Sequence, residues 1–166
     1  MMELSVWLGL AGFFAANFLA ASSGAVFKPG AWYDGLAKPW WNPPKWAFPV
    51  VWTILFIMIS VSGWLVWRAG GWTPALGVYG AQLVINAGWS AIFFGMHRIG
   101  LAMLELLLLW ASILATMVMF YPIEPIATWL LAPYLLWVTI AGCLNFSIWR
   151  LNAAPAARSS PDPGRA

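Results

Sequence analysis

The sequence predicts an all-α membrane protein, a bundle of five transmembrane helices with a long Trp/Pro-rich loop between helices 1 and 2. Two observations support this fold class: 63% of the 166 residues are hydrophobic and only 8% are charged. A soluble domain of this length needs far more charge to cover its surface, so lipid is the expected solvent. We expect one five-helix domain at residues 1–152 and a disordered tail at 153–166, which is rich in Ala, Pro, Ser and Arg.

Charged residues and prolines mark where each predicted span begins and ends. A hydrocarbon core of ~30 Å requires ~20 helical residues. The Gly70–Gly71 pair and Pro74 predict the turn before the third span, and Pro122 and Pro125 bracket the turn before the fifth. The predicted spans lie within residues 3–28, 45–68, 68–97, 98–124 and 125–149.

The basic residues predict the orientation of these spans. Seven of them fall on one side of the predicted membrane, and only Arg68 falls on the other. The positive-inside rule then places the C-terminus in the cytoplasm and the N-terminus outside, in a bacterial cell membrane. An outer-membrane location stays an alternative, because insertion there follows other rules. A cleaved signal peptide fits the first segment poorly, since no basic residue precedes its apolar run. The scattered basic residues also argue against a nucleic-acid partner.

The first loop, residues 27–46, is the longest connection and has an unusual composition. It carries four tryptophans and four prolines. Long ordered loops in compact domains usually have a function, and the prolines favour a fixed aromatic lid over a floppy linker. An interfacial tryptophan belt is the alternative, and it leaves the prolines unexplained.

Three motifs in this order resemble the translocator protein family, also called the TspO/MBR or peripheral benzodiazepine receptor family. The first lies in the loop and the start of the second span, the next in the third span and the last in the fifth. They read Trp32-Tyr33, Lys38-Pro39-x-Trp41-x-Pro43-Pro44-x-Trp46 and Trp52-Thr53; Gln82-Leu83-x-x-Asn86-x-x-Trp89 and Phe93-Phe94-Gly95; and Pro133-Tyr134-Leu135-x-Trp137, Leu144-Asn145-Phe146 and Trp149-Arg150.

The resemblance implies a five-helix bundle, usually a homodimer, that senses or regulates tetrapyrrole metabolism and stress. It also implies protoporphyrin or haem-like tetrapyrroles, sterols and drug molecules as ligands, with no cofactor required. Family ligand contacts fall at Trp52, Trp89 and Trp137, and further contacts carry over to the positions of Ser22, Ala25 and Phe48.

The helical spacing of certain side chains, taken without the family resemblance, also indicates a ligand pocket inside the bundle. Aromatic and amide side chains recur three or four residues apart on the second, third and fifth spans, which is typical of a pocket for a flat apolar ligand. Plain helix-to-helix packing is the alternative explanation. The candidate ligand-binding residues are Ser22, Ala25, Trp32, Trp41, Phe48, Trp52, Asn86, Trp89, Tyr134, Trp137, Ala141 and Asn145.

Several other residues carry weaker expectations. Glu105, the one charged residue well inside a span, is expected to extend toward the headgroups. Cys143 is expected to be a buried thiol. The sole histidine, His97, lies too near the surface to clamp a haem iron, and no metal site is expected.

The C-terminal end of the fifth span resembles the family's sterol-recognition segment, with one departure. Leu144 and Arg150 fit the pattern, but Phe146 stands at the tyrosine position. The lost hydroxyl puts tight sterol binding in doubt, and such motifs are weak even when complete.

Small residues predict a close helix contact and therefore a homodimer interface. The favoured face is on the third span, at Gly77, Ala81 and Gly88, and the alternative is on the first, at Gly12, Ala16 and Ala20. Three functions stay open: a receptor or sensor that binds porphyrins, a porphyrin or sterol transporter, and an enzyme. The family resemblance implies that the enzyme would break down protoporphyrin in light and oxygen through Trp52 and Trp137.

Overall fold

The computed structural model describes residues 2–153, and all of its regular structure there is helical. Five of its helices are long and apolar enough to cross a membrane, which confirms the predicted fold class and the five spans. The predicted tail lies outside the described residues except for Ala153. The helices are α1 (Met2–Val26), α2 (Ala31–Asp34), α3 (Ala47–Gly70), α4 (Pro74–Ser90), α5 (Ile99–Phe120) and α6 (Pro125–Asn152).

The helix ends follow the turn residues read from the sequence. Pro74 and Pro125 are the first residues of α4 and α6, where the missing N–H costs no helical hydrogen bond. Glu124 caps α6, because its side chain accepts a hydrogen bond of 3.2 Å from the backbone N–H of Ile126. Gly71 ends α3 at φ +67°, a left-handed conformation that favours glycine.

The five long helices form a closed ring in the order α1, α3, α6, α5, α4 and back to α1. Their inward residues build one apolar core, with Ile59, Leu109 and Leu131 almost fully buried. Large apolar side chains such as Phe18 and Val84 cover the outside, as expected when the solvent is lipid.

Polar side chains inside the ring join neighbouring helices. The Asn17 amide donates to the Tyr79 hydroxyl at 2.6 Å, and that hydroxyl donates to the backbone oxygen of Ile59 at 3.1 Å. These bonds tie α1, α4 and α3 together within the membrane. Gly63 allows the close approach there, because a Cβ at this position would lie 2.7 Å from Tyr79 Cζ.

A π-helical turn, Ala91–Gly95, continues α4 beyond Ser90. Such turns shift the side chains that follow them, and they are frequent at functional sites. Here the turn buries Phe93 and directs it and Phe94 toward the first loop. His97, at φ +57°, lies in the short connection between this turn and α5.

Candidate functional site

Aromatic side chains of α3 and α6 pack against each other on the loop side of the bundle. The Trp137 ring lies edge-on to Phe48 at 5.9 Å between centroids, and the Trp52 ring lies edge-on to Tyr134 at 6.1 Å. We call these four residues the α3–α6 aromatic wall. Edge-to-face contacts of this kind fix the orientation of the rings.

The Tyr134 hydroxyl holds the wall to α4. Asn86 donates to it at 2.6 Å, and it donates in turn to the Gln82 side-chain oxygen at 2.9 Å. All three side chains are buried. Because unmet polar groups are costly in a bilayer, this network fixes how α4 and α6 rotate relative to each other.

A second row of rings runs from the interior up to the first loop. Trp89 stacks on Phe93 at 5.1 Å, Phe93 meets Trp32 edge-on at 5.7 Å, and Trp32 stacks on His97 at 4.2 Å. Tyr33 is buried against Phe93 as well. The loop therefore sits on the end of α4 as an ordered aromatic lid.

Two contacts with distant helices anchor this lid. The Asn152 side chain pairs with both backbone groups of Ala37, accepting from its N–H at 3.1 Å and donating to its oxygen at 2.9 Å. Phe27 packs on Gly95, where a Cβ would lie 2.8 Å from the phenyl ring. The lid is thus fixed to both α4 and α6.

Charges inside the loop reinforce its conformation. Lys45 and Asp34 form an exposed ion pair at 2.6 Å, and hydrogen bonding to Lys45 holds the pKa of the Asp34 carboxyl below its usual value. The Lys38 ammonium lies 4.5 Å from the centre of the Tyr33 ring. Burial raises the pKa of the Tyr33 phenol, so this residue stays neutral at physiological pH.

The structure brings some predicted ligand-binding residues together and leaves others apart. Trp32, Phe48, Trp52, Asn86, Trp89, Tyr134 and Trp137 belong to the aromatic wall, its network or the second row. Ser22 and Ala25 are exposed near the end of α1, and Trp41 is 36% exposed. Ala141 is half-buried on α6, and the buried Asn145 donates to the backbone oxygen of Ile99 at 3.0 Å.

A shallow groove between α3 and α6 opens onto the lipid-facing surface. Its volume is about 200 Å³, below the range of ~300–1,000 Å³ that is usual for ligand pockets. Trp137 belongs to both the groove and the aromatic wall, so the two are adjacent. The groove is lined by Val51, Ile54, Leu55, Met58, Pro133, Leu136, Trp137 and Ile140.

Two expectations from the sequence were wrong. Glu105 does not extend to the headgroups, because both of its carboxyl oxygens are buried inside the bundle. Cys143 is exposed on the outside of α6 instead of buried. Both errors concern helix rotation, which an almost uniformly apolar sequence hardly encodes.

The remaining predicted residues lie as follows. Leu144 is buried, Phe146 is 43% exposed, and the Arg150 guanidinium lies 5.9 Å from the centre of the Phe146 ring. Gly77 and Ala81 are exposed on α4, whereas Gly88 faces α5. A Cβ added at Gly88 would lie 4.0 Å from Glu105 Oε1. Across the described residues 2–153, no three His, Cys, Asp or Glu side chains cluster as a metal site would require.

Sequence reasoning missed the contribution of Asn152 and of the His97–Trp32 stack to the lid. Asn152 follows the last apolar residue of α6 and looks like a helix end. Its pairing with Ala37, 115 residues earlier, has no local signal.

The fold and these side chains define a polytopic α-helical membrane protein with an aromatic interior beneath an ordered loop. The profile of the TspO/MBR family matches residues 7–150, and the chain belongs to that family. The names of its relatives place it among membrane proteins of the sensory and translocator type.

Three relatives illustrate the similarity. Protein CrtK of Rhodobacter capsulatus is 44% identical over 147 residues, which cover 84% of this chain and 90% of that protein. A tryptophan-rich sensory protein of Cereibacter sphaeroides is 42% identical over 154 residues, covering 92% and 98%. The human translocator protein is 39% identical over 154 residues, covering 88% and 91%.

Proposed function

We propose that the chain is a membrane receptor or sensor that binds porphyrins, such as protoporphyrin IX or haem-like tetrapyrroles, against the α3–α6 aromatic wall beneath the loop. The observation that carries the proposal is the preorganised set of Phe48, Trp52, Tyr134 and Trp137 next to a lipid-facing groove. The ring system of a tetrapyrrole is flat and apolar, and protoporphyrin IX carries two propionate groups at one edge. Such a ring partitions into lipid, so it matches this surface in shape and reaches it from the bilayer.

The groove is smaller than a tetrapyrrole, so binding requires α3 and α6 to separate or the loop to shift. The groove is lined by apolar side chains, including Met58, whose flexible thioether adapts to new neighbours. Ligands that bind a minor open conformation shift the population toward it. No resident cofactor is needed for this role.

Titration of purified protein with protoporphyrin IX in the dark tests the proposal. We expect saturable quenching of tryptophan fluorescence at about one porphyrin per chain, competed by excess haem. Quenching that rises linearly with added porphyrin, as in empty detergent micelles, would contradict the proposal.

The same sample separates the two competing functions. Illumination in air that bleaches the bound porphyrin, with bleaching lost in Trp52→Phe and Trp137→Phe, would identify a porphyrin-degrading enzyme. Protein-dependent flux of porphyrin into sealed vesicles would identify a transporter. A receptor gives saturable binding with neither result.

We further propose that the protein lies in the bacterial cell membrane with its C-terminus in the cytoplasm. The distribution of basic residues supports this orientation, with Lys28, Lys38 and Lys45 in the first loop and Arg68 on the opposite side. Alkaline phosphatase fused after Ala166 should be inactive, and green fluorescent protein at the same position should fluoresce. Active phosphatase at that position would reverse the orientation.

A further inference from the structure

Glu105 places a carboxyl group in the interior of the bundle without a protein partner. It lies in α5, six residues after Ile99, and neither of its oxygens accepts a hydrogen bond from any residue that the structure describes. An isolated carboxyl at membrane depth is costly, and side chains of this kind usually mark a ligand or ion path. The function proposed above does not use it.

The helices that face Glu105 offer no compensating charge. Along α4 there is no charged residue, and on α6 the only one is Arg150, in the last turn. Gly88, which faces Glu105, follows Asn86 by two residues on α4, and Asn86 donates to the Tyr134 hydroxyl of the aromatic wall at 2.6 Å. The carboxyl therefore belongs to the same interior as the wall.

The carboxyl faces a glycine and not a larger side chain. Gly88 faces it from α4, and an added Cβ there would meet only one heavy atom within 4.0 Å, Glu105 Oε1 itself. The next residue, Trp89, has a buried indole N–H that has no acceptor among the described residues. An unpaired acceptor on α5 thus faces Gly88, and the residue after Gly88 on α4 carries an unpaired donor.

We propose that Glu105 is a polar anchor of the ligand site, which favours a flat aromatic ligand with an amine or another N–H donor over a ligand with the same ring and no donor. This inference rests on the proposed function for the location of the ring system, which would lie on the aromatic wall. A donor group on the ligand would meet the carboxyl on the Gly88 side once the bundle has opened, as the proposed function requires. Hydrogen bonds to a charged group are among the strongest in proteins, and in an apolar interior no water competes for them.

A pair of fluorescent probes tests this selection. Pyrenemethylammonium and 1-ethylpyrene share the same flat ring, and only the first presents an ammonium group. Their dissociation constants are measured in detergent for wild-type protein, Glu105→Gln and Glu105→Leu. The matched control is Glu124→Gln, which removes a carboxylate at the opposite end of the bundle and keeps an oxygen to cap α6. Each variant is checked for an unchanged elution volume and melting temperature.

We expect the wild type and the Glu124→Gln control to bind the ammonium probe at least about tenfold more tightly than ethylpyrene. The preference should disappear in Glu105→Leu and fall to an intermediate value in Glu105→Gln, whose amide oxygen still accepts a hydrogen bond. Binding of ethylpyrene should change little in either variant. Glu105→Gln is nearly isosteric, so it keeps the test valid if Glu105→Leu does not fold.

Two adverse outcomes are distinguishable. If the wild type binds both probes and its preference is unchanged in Glu105→Gln and Glu105→Leu, the role of Glu105 is wrong and the aromatic site stands. If the wild type binds neither the probes nor protoporphyrin IX, the proposed ligand site is itself wrong, and the role of Glu105 with it.

Discussion

At the scale of single residues, the Tyr134 hydroxyl is the hydrogen-bonding centre of the interior. It accepts from Asn86 and donates to Gln82, so Tyr134→Phe would leave both amides without this partner. We expect a loss of about 1–2 kcal/mol in the free energy of unfolding, since interhelical hydrogen bonds in membranes reach about that size. Reversible unfolding in mixed micelles measures it.

Tyr121→Phe is the matched control for that substitution. Tyr121 is 58% exposed at the end of α5, so the loss of its hydroxyl should change stability by a few tenths of a kcal/mol at most. Equal effects of the two substitutions would show that the buried network contributes nothing specific.

Two amide and hydroxyl side chains inside the spans were predicted well, whereas a carboxyl and a thiol were not. Asn86 and Tyr134 lie inside, as their spacing indicated. Cys143 and Glu105 were misplaced, because the lipid and the core are both apolar and the sequence then gives little information about which helix face turns inward.

At the scale of elements, the loop depends on Asn152 for its connection to α6. Asn152→Ala removes both hydrogen bonds to the Ala37 backbone. The loop should lose about 1 kcal/mol of local stability, which corresponds to about fivefold faster amide exchange. We expect this acceleration in peptides from residues 31–46, measured by hydrogen–deuterium exchange, with the spans unaffected.

Ser147→Ala serves as the control, since the Ser147 hydroxyl bonds only to the Cys143 backbone oxygen within its own helix. If the loop exchanged at the same rate in wild type, Ser147→Ala and Asn152→Ala, the anchoring role of Asn152 would be refuted.

The elements themselves were largely predictable, and their local deviations were not. Gaps between charges and the prolines at helix starts located all five spans to within a few residues. The π-helical turn Ala91–Gly95 has no such marker, although its Phe93 and Phe94 both contact Tyr33 of the loop. The sequence did predict an ordered loop, but not the residues that anchor it.

At the scale of the whole molecule, we predict a homodimer through α4. Gly77 and Ala81 lie on the outside, next to Val84, which is 74% exposed. Small residues at this spacing let two helix backbones approach closely. Ala81→Leu should therefore give a monomer, measured by light scattering with correction for bound detergent.

Ala16→Leu tests the other small-residue face, on α1, where Ala16 is exposed. It should leave the dimer intact. A dimer that survives Ala81→Leu and dissociates in Ala16→Leu would move the interface from α4 to α1.

The central claim, that the aromatic wall binds a porphyrin, is tested most directly by removing one of its rings. Protoporphyrin IX affinity should fall about tenfold to a hundredfold in Trp137→Ala, because ring stacking contributes ~1–3 kcal/mol per contact and each ~1.4 kcal/mol is a factor of ten. Trp7 lies near the N-terminal end of α1, away from the first loop, and its indole is 63% exposed. The Trp7→Ala variant should therefore bind protoporphyrin IX as the wild type does. Equal affinities in folded wild type, Trp7→Ala and Trp137→Ala would contradict the account and leave Trp137 as a packing residue.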